Sequence, residues 1–182
     1  YQLTKNETYK EVVFETLDFI KKELTSPEGM FYSSLDADSY NKENILEEGA
    51  YYSWTKATLK ALLKDDFDLF SKYYNVSDFG FWEEDKFVLI KSVDDSTFSK
   101  ENNISTSTLK EHKVNWKKIL RKKQKERKKP RLDDKSLTSW NALMIKGYID
   151  AYTVFDEKSF LDAALKNARF ILKNQLLEDG KL

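Results

Sequence analysis

Apolar side chains recur at helical spacing in six stretches of the chain. This pattern predicts α-helices over residues 5–24, 55–63, 66–74, 108–128, 138–155 and 159–177. The last two are separated only by a short turn at Asp156 and Glu157, which predicts an antiparallel αα-hairpin. Helix 138–155 is apolar on nearly every side, so we expect most of its surface to be buried. The pattern indicates an all-α fold.

Polar and turn-forming residues mark the helix ends. Thr4 with Glu7, and Ser159 with Asp162, match the capping-box spacing and predict two helix starts. Thr55 and Asp66 are in position to cap the two short helices. We expect helices to end at Pro27 with Gly29, at Asn75 and at Pro130.

Short aromatic-rich segments between turn residues predict small strands. They cover residues 30–34 and 50–54, with a further strand at 86–90. Residues 92–107 are rich in Ser, Asp and Asn, which predicts an exposed loop.

A weak internal repeat links the two ends of the chain. Tyr9–Phe31 aligns without gaps on Phe160–Leu182. The identical pairs are Phe19 and Phe170, Ile20 and Ile171, Lys22 and Lys173, and Gly29 and Gly180. Repeated αα units are typical of solenoids and closed toroids, so we expect one of these architectures.

Composition narrows the function without identifying it. The 182 residues carry no net charge and no Cys, and they include one His. Disulfides, thiolate chemistry and His-rich metal sites are therefore excluded from this segment, and we predict no cofactor. A neutral chain without a long apolar run predicts neither a membrane span nor nucleic-acid binding, and we expect a cytoplasmic location.

The loop before helix 138–155 holds the densest candidate chemistry. Asp133 and Asp134 suit general acid–base work on a sugar, and Lys135 can keep one of them ionised. The structural alternative is that they cap the helix and form a local ion pair. Trp140 can stack on a sugar ring and Asn141 can bind hydroxyl groups, although a Trp at such a position is more often part of a core.

Asp36 and Asp38 form a second acidic candidate. Their spacing suggests Ca²⁺ or Mg²⁺, but Tyr40 and Asn41 occupy positions where an EF-hand needs a ligand and a Gly. Two Asx turns are the simpler explanation, and we predict no metal site.

Three further features have alternative explanations. Tyr32 and Trp54 either form the wall of a substrate pocket or cover one end of the helical array. His112 lies on an apolar stripe, so we expect a packed histidine. Residues 110–131 contain twelve Lys and Arg against two Glu. This run forms either a solvated helix face, a docking face for an acidic partner or, least of all, a nucleic-acid site.

Two stretches resemble signatures of the spermatogenesis-associated protein 20 family. One covers residues 29–39 and continues through 49–55, and the other covers residues 130–145. The family has Asn-Gly after the signature Trp, where this chain has Asn141 and Ala142. The resemblance implies an N-terminal thioredoxin-like module, absent from this chain. It also implies an α/α-toroid similar to those of N-acylglucosamine 2-epimerases and six-hairpin glycosidases. Residues 1–182 would be roughly the first half of that toroid, built of αα-hairpins with small β-hairpin inserts.

The resemblance leaves two hypotheses open, and with them the question of whether the protein is an enzyme. In the first, the toroid is carbohydrate-active or sugar-binding, with Asp36, Asp38, Asp133 and Asp134 lining its open end. In the second, it is a scaffold that serves a thioredoxin-like module, with the basic helix as docking face. Either way we expect the rest of the toroid to pack on this chain, and the isolated segment either to self-associate or to be only marginally stable.

Overall fold

A computed structural model describes residues 1–180. The chain divides into two compact units. Unit 1 combines Tyr1–Asp36 with Leu132–Leu182, and unit 2 consists of Ala37–Arg131. In sequence, unit 2 is therefore one continuous segment that separates the two segments of unit 1.

Within residues 1–180 there are seven α-helices and six short strands. The helices are α1 (Glu7–Glu23), α2 (Lys56–Leu63), α3 (Phe67–Tyr73), α4 (Asp95–Glu101), α5 (Thr106–Gln124), α6 (Thr138–Phe155) and α7 (Lys158–Asn174). The strands are β1 (Ser34–Leu35), β2 (Asp38–Tyr40), β3 (Leu46–Glu48), β4 (Trp54–Thr55), β5 (Lys86–Phe87) and β6 (Leu132–Asp133). The strands form three antiparallel pairs, β1 with β6, β2 with β3 and β4 with β5. The predicted helical class is confirmed; the structure is mostly helical with small strand pairs.

Unit 1 is built on the predicted αα-hairpin. Asp156 adopts a left-handed conformation that ends α6 and turns the chain into α7. Leu17 of α1, Phe31, Tyr148 of α6 and Phe160 of α7 form its apolar core.

The prediction that α6 is buried on most sides is wrong for the described residues. Its buried residues are Asn141, Tyr148 and Ala151. Trp140 is 52% exposed and Leu143 is 69% exposed. The apolar stripe of α6 is wider than the surface that α1, Phe31 and α7 cover, so one side of it faces solvent.

Unit 2 packs α2, α3 and α4 around α5. Trp116 and Leu109 of α5 are fully buried, together with Phe70 of α3 and Leu59 of α2. Beside this apolar core lies an ionic cluster. Asp95 accepts hydrogen bonds from Tyr73 (2.6 Å) and Lys113 (2.5 Å), and it pairs with Lys91 (2.6 Å).

Both predicted capping boxes are wrong. The α1 cap is Asn6, whose side chain accepts the Thr8 N–H, so the helix begins two residues later than predicted. The α7 cap is Glu157, which accepts the Ser159 N–H. In both cases a neighbouring acceptor reaches an unpaired helical N–H first. The predicted Thr55 cap and the left-handed stop at Asn75 are confirmed.

The strand predictions are confirmed only in part. The predicted strand at residues 30–34 is reduced to an isolated bridge at Phe31 and the start of β1. β4 pairs with β5, and the β2–β3 hairpin lies in a stretch where no strand was predicted. The predicted loop at 92–107 contains α4, because Asp94 caps the N–H groups of Ser96 and Thr97 and Phe98 is buried in the core.

The internal repeat is reproduced in the backbone. α1 and α7 are each 17 residues long, in the register of the alignment. Leu24 N–H binds the Ile20 carbonyl at one helix end, and Gln175 N–H binds the Ile171 carbonyl at the other. The turns that follow contain Gly29 and Gly180, both at positive φ. The last two residues of the aligned segment, Lys181 and Leu182, lie outside the described residues.

Candidate functional site

The two signature stretches meet in one strand pair of unit 1. β1 runs antiparallel to β6, with Ser34 opposite Asp133 and Leu35 opposite Leu132. The Ser33 hydroxyl donates to the Lys135 carbonyl at 2.7 Å. Residues about 100 positions apart in sequence are thereby fixed side by side, which places Asp133 of β6 opposite Ser34 of β1, two residues before Asp36.

Asn141 locks this pairing from α6. Its Oδ1 accepts the Phe31 N–H at 2.8 Å, and its Nδ2 donates to the Phe31 carbonyl at 3.0 Å. Nδ2 also donates to the Leu137 carbonyl, and Oδ1 accepts from Asn167 Nδ2 at 2.7 Å. Asn141 is 0% exposed. Asn141 was predicted to bind substrate; in the structure both of its polar atoms are used inside the protein, and the amide holds the signature segment in place.

The acidic loop before α6 is an exposed ion pair and not a helix cap. Asp133 Oδ2 lies 3.2 Å from Lys135 Nζ, and Asp133 Oδ1 accepts the Lys135 N–H at 3.3 Å. The N-cap of α6 is Leu137, without a side-chain cap. The alternative of a local ion pair is therefore confirmed and the capping alternative is wrong. Asp134 and Lys135 remain exposed at this edge.

Two aromatic candidates flank the same strand pair. Trp140 lies in the first turn of α6 and is half exposed, so the interpretation of Trp140 as core is wrong for the described residues. Tyr32 is half-buried, and its N–H binds the Leu24 carbonyl at 2.9 Å.

The second acidic candidate is divided between the two units. Asp36 is the last residue of the first half of unit 1, whereas Asp38 lies in β2 of unit 2, opposite Glu48. Both are half-buried. Within residues 1–180, no three His, Asp or Glu side chains are arranged to hold a metal ion.

Trp54 and His112 belong to unit 2. Trp54 is buried, and the Arg127 guanidinium carbon lies 3.9 Å from its ring centroid. Trp54 also lines a cleft of about 320 Å³. His112 is packed, as predicted, with its ring 5.4 Å from that of Trp116 and its Nδ1 3.3 Å from Asp66 Oδ2.

The predicted basic helix is partly structural. Lys113 is buried against Asp95. Arg127 donates to the carbonyl groups of Ala50, Tyr51 and Ser53 at 3.1, 2.9 and 2.7 Å. Lys113 and Arg127 bind groups in the interior and loops of unit 2. Residues 110–131 therefore do not form a uniformly solvated face.

A groove in unit 1 was not predicted. It has a volume of about 590 Å³ and lies between α1, α7 and Phe31. Phe31 stacks on Tyr148 with ring centroids 5.4 Å apart and planes 12° apart. The residues that carry carboxylates on its lining are Asp18, Glu157 and Asp162. Because these residues come from different helices, no local sequence pattern could have revealed the groove.

The pKa values of two groups on the groove lining, Tyr148 and Glu157, are shifted. Burial and the nearby Asp18 carboxylate raise the pKa of Tyr148 to about 12, so its hydroxyl keeps its proton and donates to the Leu17 carbonyl at 3.3 Å. Hydrogen bonds from Ser159 lower the pKa of the Glu157 carboxyl, which is therefore ionised at neutral pH. The lining thus combines these carboxylates with aromatic side chains and with Lys21 and Lys166.

No family model matches the chain. Among curated proteins, it is 33% identical to the uncharacterised protein B0495.5 of Caenorhabditis elegans, over 93% of this chain. It is 25% identical to the human and rat proteins named spermatogenesis-associated protein 20, over its full length. The alignments cover 26% of each relative, so the chain spans about a quarter of their length. The family resemblance read from the two signature stretches is confirmed.

No helix within residues 1–180 combines the length and the apolar character that crossing a membrane requires.

Proposed function

We propose that this chain, which is related along its whole length to spermatogenesis-associated protein 20, is part of a helical module that binds a carbohydrate in the groove of unit 1. The observation that supports the proposal is a groove of about 590 Å³ whose lining combines aromatic side chains with carboxylate groups. A volume of this size is within the range of small-molecule sites. Aromatic rings stack on the apolar faces of sugar rings, and carboxylates accept hydrogen bonds from hydroxyl groups.

The ionised state of Glu157 favours a binding role for this residue over a proton-donating one. Glycoside cleavage requires one carboxylic acid that still holds a proton near neutral pH. The lowered pKa of Glu157 makes it an acceptor and not such a donor. Tyr148, whose pKa is raised, keeps its proton and donates a hydrogen bond to the Leu17 carbonyl. The proposed role is therefore recognition of a hydroxyl-rich ligand.

The test is a titration of the full chain with monosaccharides, N-acyl amino sugars and short oligosaccharides, followed by calorimetry. We expect Asp162→Asn to weaken binding about five- to tenfold, since a charged hydrogen bond contributes roughly 1.5 kcal/mol. Asp150→Asn is the matched control, because Asp150 forms an exposed pair with Lys146 on α6 and does not line the groove.

The acidic edge supplies the competing location. If Asp133→Asn with Asp134→Asn abolishes binding and Asp162→Asn does not, the carbohydrate binds beside Trp140 and the groove proposal is wrong. If no member of the panel binds, the carbohydrate proposal fails as a whole.

A second function, that of a non-catalytic scaffold, is favoured by the exposed apolar side chains of the αα-hairpin. Leu143 of α6 and Leu172 of α7 are 69% and 62% exposed, beside the half-exposed Trp140. In relatives about four times longer, further helices of a toroid would cover such faces. We expect the isolated chain to self-associate, and Leu143→Asn with Leu172→Asn to shift sedimentation toward monomer. A wild-type chain that is a stable monomer at high concentration would contradict the scaffold.

The scaffold hypothesis also assigns the basic helix a docking role. Charge reversal at Lys117, Lys118, Arg121 and Lys122 should then abolish capture of a thioredoxin-like module by the chain. Unchanged capture would remove this surface from the hypothesis.

A further inference from the structure

A small hairpin of unit 2 exposes three aromatic side chains. Residues 79–88 fold back on themselves through a bridge between Phe81 and Phe87. Phe87 is buried, whereas Phe79, Phe81 and Trp82 are 65%, 53% and 46% exposed. Aromatic side chains are enriched at protein interfaces, so three exposed rings on one short segment indicate an interaction surface. We call residues 79–88 the aromatic hairpin.

The turn of the aromatic hairpin carries three exposed carboxylates, those of Glu83, Glu84 and Asp85. φ is +45° at Glu84 and +60° at Asp85, and the Lys86 N–H donates to the Glu83 carbonyl at 2.7 Å. A turn with positive φ at both central positions favours Asn-Gly, so acidic residues are a conformationally unfavourable choice here. Among the residues that the structure describes, Glu83 and Asp85 form no ion pair. Negative charge is thus placed beside the exposed rings without a partner that would account for it.

The opposite charge lies on one face of α5 and its C-cap, in the same unit. Val114, Lys118, Arg121 and Lys125 follow the spacing of a single helical face, and all four are exposed. Val114 is 63% exposed, so the face combines an apolar side chain with cations. Within residues 1–180, none of these three cations forms an ion pair. We call these four residues the cationic stripe.

We infer that the aromatic hairpin of one copy of this chain binds the cationic stripe of a second copy, in a head-to-tail contact through unit 2. Each surface combines exposed apolar groups with charges of one sign, and the two signs are opposite. The 182 residues carry no net charge, so two copies do not repel each other as whole molecules.

Cations bound on aromatic faces are already present inside unit 2. The Arg127 guanidinium carbon lies 3.9 Å from the Trp54 ring centroid, and the Lys128 ammonium lies 5.3 Å from that of Tyr40. Arg121 on the exposed face of Trp82 would repeat this contact between copies, with the turn carboxylates beside it as acceptors.

The contact differs from both surfaces of the scaffold hypothesis. Self-association through Leu143 and Leu172 belongs to unit 1 and is apolar, whereas the contact inferred here is electrostatic and weakens with salt. A thioredoxin-like module docked on α5 would use the cationic stripe without the aromatic hairpin. Variants of the hairpin therefore distinguish a second copy from such a module.

The first test is sedimentation velocity of the full chain carrying Leu143→Asn and Leu172→Asn, which remove the apolar face of unit 1. We expect association that rises with protein concentration and weakens about tenfold between about 0.05 M and 0.5 M NaCl, because salt screens exposed ion pairs. A chain that stays monomeric up to its solubility limit, or that associates equally at both salt concentrations, would overturn the inference.

The turn offers a variant that removes charge without unfolding the hairpin. Glu84→Asn with Asp85→Gly deletes two carboxylates and supplies the residues that this turn prefers. In the same background, association should weaken about three- to tenfold, the range of two exposed ion pairs. Asp65→Asn with Glu101→Gln deletes the same charge at exposed positions elsewhere in unit 2 and should leave association unchanged. Equal loss in both variants would reduce the effect to net charge and contradict the site.

A mixture of two variants tests the pairing itself. Lys118→Gln with Arg121→Gln and Lys125→Gln removes the cations of the stripe, keeps the helix propensity similar and leaves the hairpin intact. This variant and the turn variant should each associate weakly alone, whereas their mixture should form heterodimers because one retains the hairpin and the other the stripe. A mixture that does not associate would overturn the inference. Binding of an oligolysine peptide to a chain that stays monomeric would assign the hairpin to another basic partner, and the second copy would be wrong.

Discussion

Unit 1 buries neutral amide side chains, whereas unit 2 buries charges. In unit 1, Asn141 and Asn167 are fully buried, and they bind each other and the backbone of the segment at Gly29 and Phe31. In unit 2, Lys113 is buried against Asp95, and Arg127 is half-buried over Trp54. Buried polar groups need partners in both cases, but the partners differ in kind.

This difference predicts two kinds of sensitivity. A neutral amide network has no proton to gain or lose between pH 2 and 9, so it depends on shape and on hydrogen bonds alone. A carboxylate that is ionised in the folded state loses its partners when it is protonated. Unit 1 should therefore respond most strongly to substitution of its amides, and unit 2 to pH. Fluorescence can follow each unit, since Trp140 is the Trp of unit 1 and Trp54, Trp82 and Trp116 belong to unit 2.

The largest effect is expected for Asn141→Leu. The substitution leaves the Phe31 N–H and carbonyl groups buried without their partner, at a cost of roughly 2–4 kcal/mol. Urea unfolding followed by Trp140 should shift, and the signal of unit 2 should shift less. Asn174→Leu, at an exposed position near the end of α7, is the matched control. Equal destabilisation by both would refute the amide lock.

Removal of the Arg127 side-chain contacts should be the next largest effect. Arg127→Met breaks three hydrogen bonds to the loop at residues 50–53 and the stacking on Trp54, and we expect unit 2 to lose about 2 kcal/mol. Lys125→Met removes the same charge at an exposed position and should change stability little. If Arg127→Lys is as stable as wild type, the planar guanidinium is not what orders the loop.

The acid response of unit 2 should depend on Asp95. Burial alone would raise the pKa of this carboxyl, but hydrogen bonds from Lys113, Lys91 and Tyr73 outweigh it and lower the pKa well below its ordinary value of 3.8. The stabilisation is thus fully present above about pH 4 and is lost as the pH falls toward the folded-state pKa.

Asp95→Asn provides the measurement. At pH 7 the variant should be less stable than wild type by about 1–2 kcal/mol, and the gap should narrow between pH 4 and 2. Urea midpoints of the unit 2 signal at several pH values test this. A constant gap at all pH values would contradict the assignment of acid sensitivity to Asp95.

The smallest expected effect is the difference in stability between alanine substitutions at the two glycines of the repeat. Gly29→Ala should destabilise unit 1 by roughly 1–2 kcal/mol, because φ is +100° and a Cβ would lie 2.7 Å from Lys166 Cγ. Gly180→Ala shares the positive φ of +81° but has no atom within 4 Å of the new Cβ. The difference in thermal midpoint isolates the close approach of Lys166. Identical midpoints would leave backbone conformation as the whole effect.

Sequence reasoning recovered the features that are encoded locally. The bounds of α6 follow from an unbroken apolar period and match the prediction at both ends, and the spacing of the repeat placed α1 and α7 in register. α4 was missed because a polar segment with a single deeply buried aromatic, Phe98, has no apolar period.

The candidate site was recovered only in part. Both signature stretches were identified, but nothing local could indicate that β1 pairs with β6, or that Asn141 binds the Phe31 backbone 110 residues away. The backbone partners of Asn141 were missed for the same reason, since an amide beside a Trp looks alike in sequence whether its partner is a sugar hydroxyl or a peptide group. The grooves combine residues from several helices, and helix packing alone creates them.

The β1–β6 pair brings together the two points at which the chain leaves and re-enters unit 1. The polypeptide leaves unit 1 after Asp36 and re-enters at Leu132, and the exit and entry strands are neighbours in one ladder, about 5 Å apart. Two chain ends that lie this close can be joined by segments of different length, and sites of this kind tolerate inserted domains. We therefore expect that a short linker in place of residues 37–131 would leave the helices of unit 1 able to form the same core.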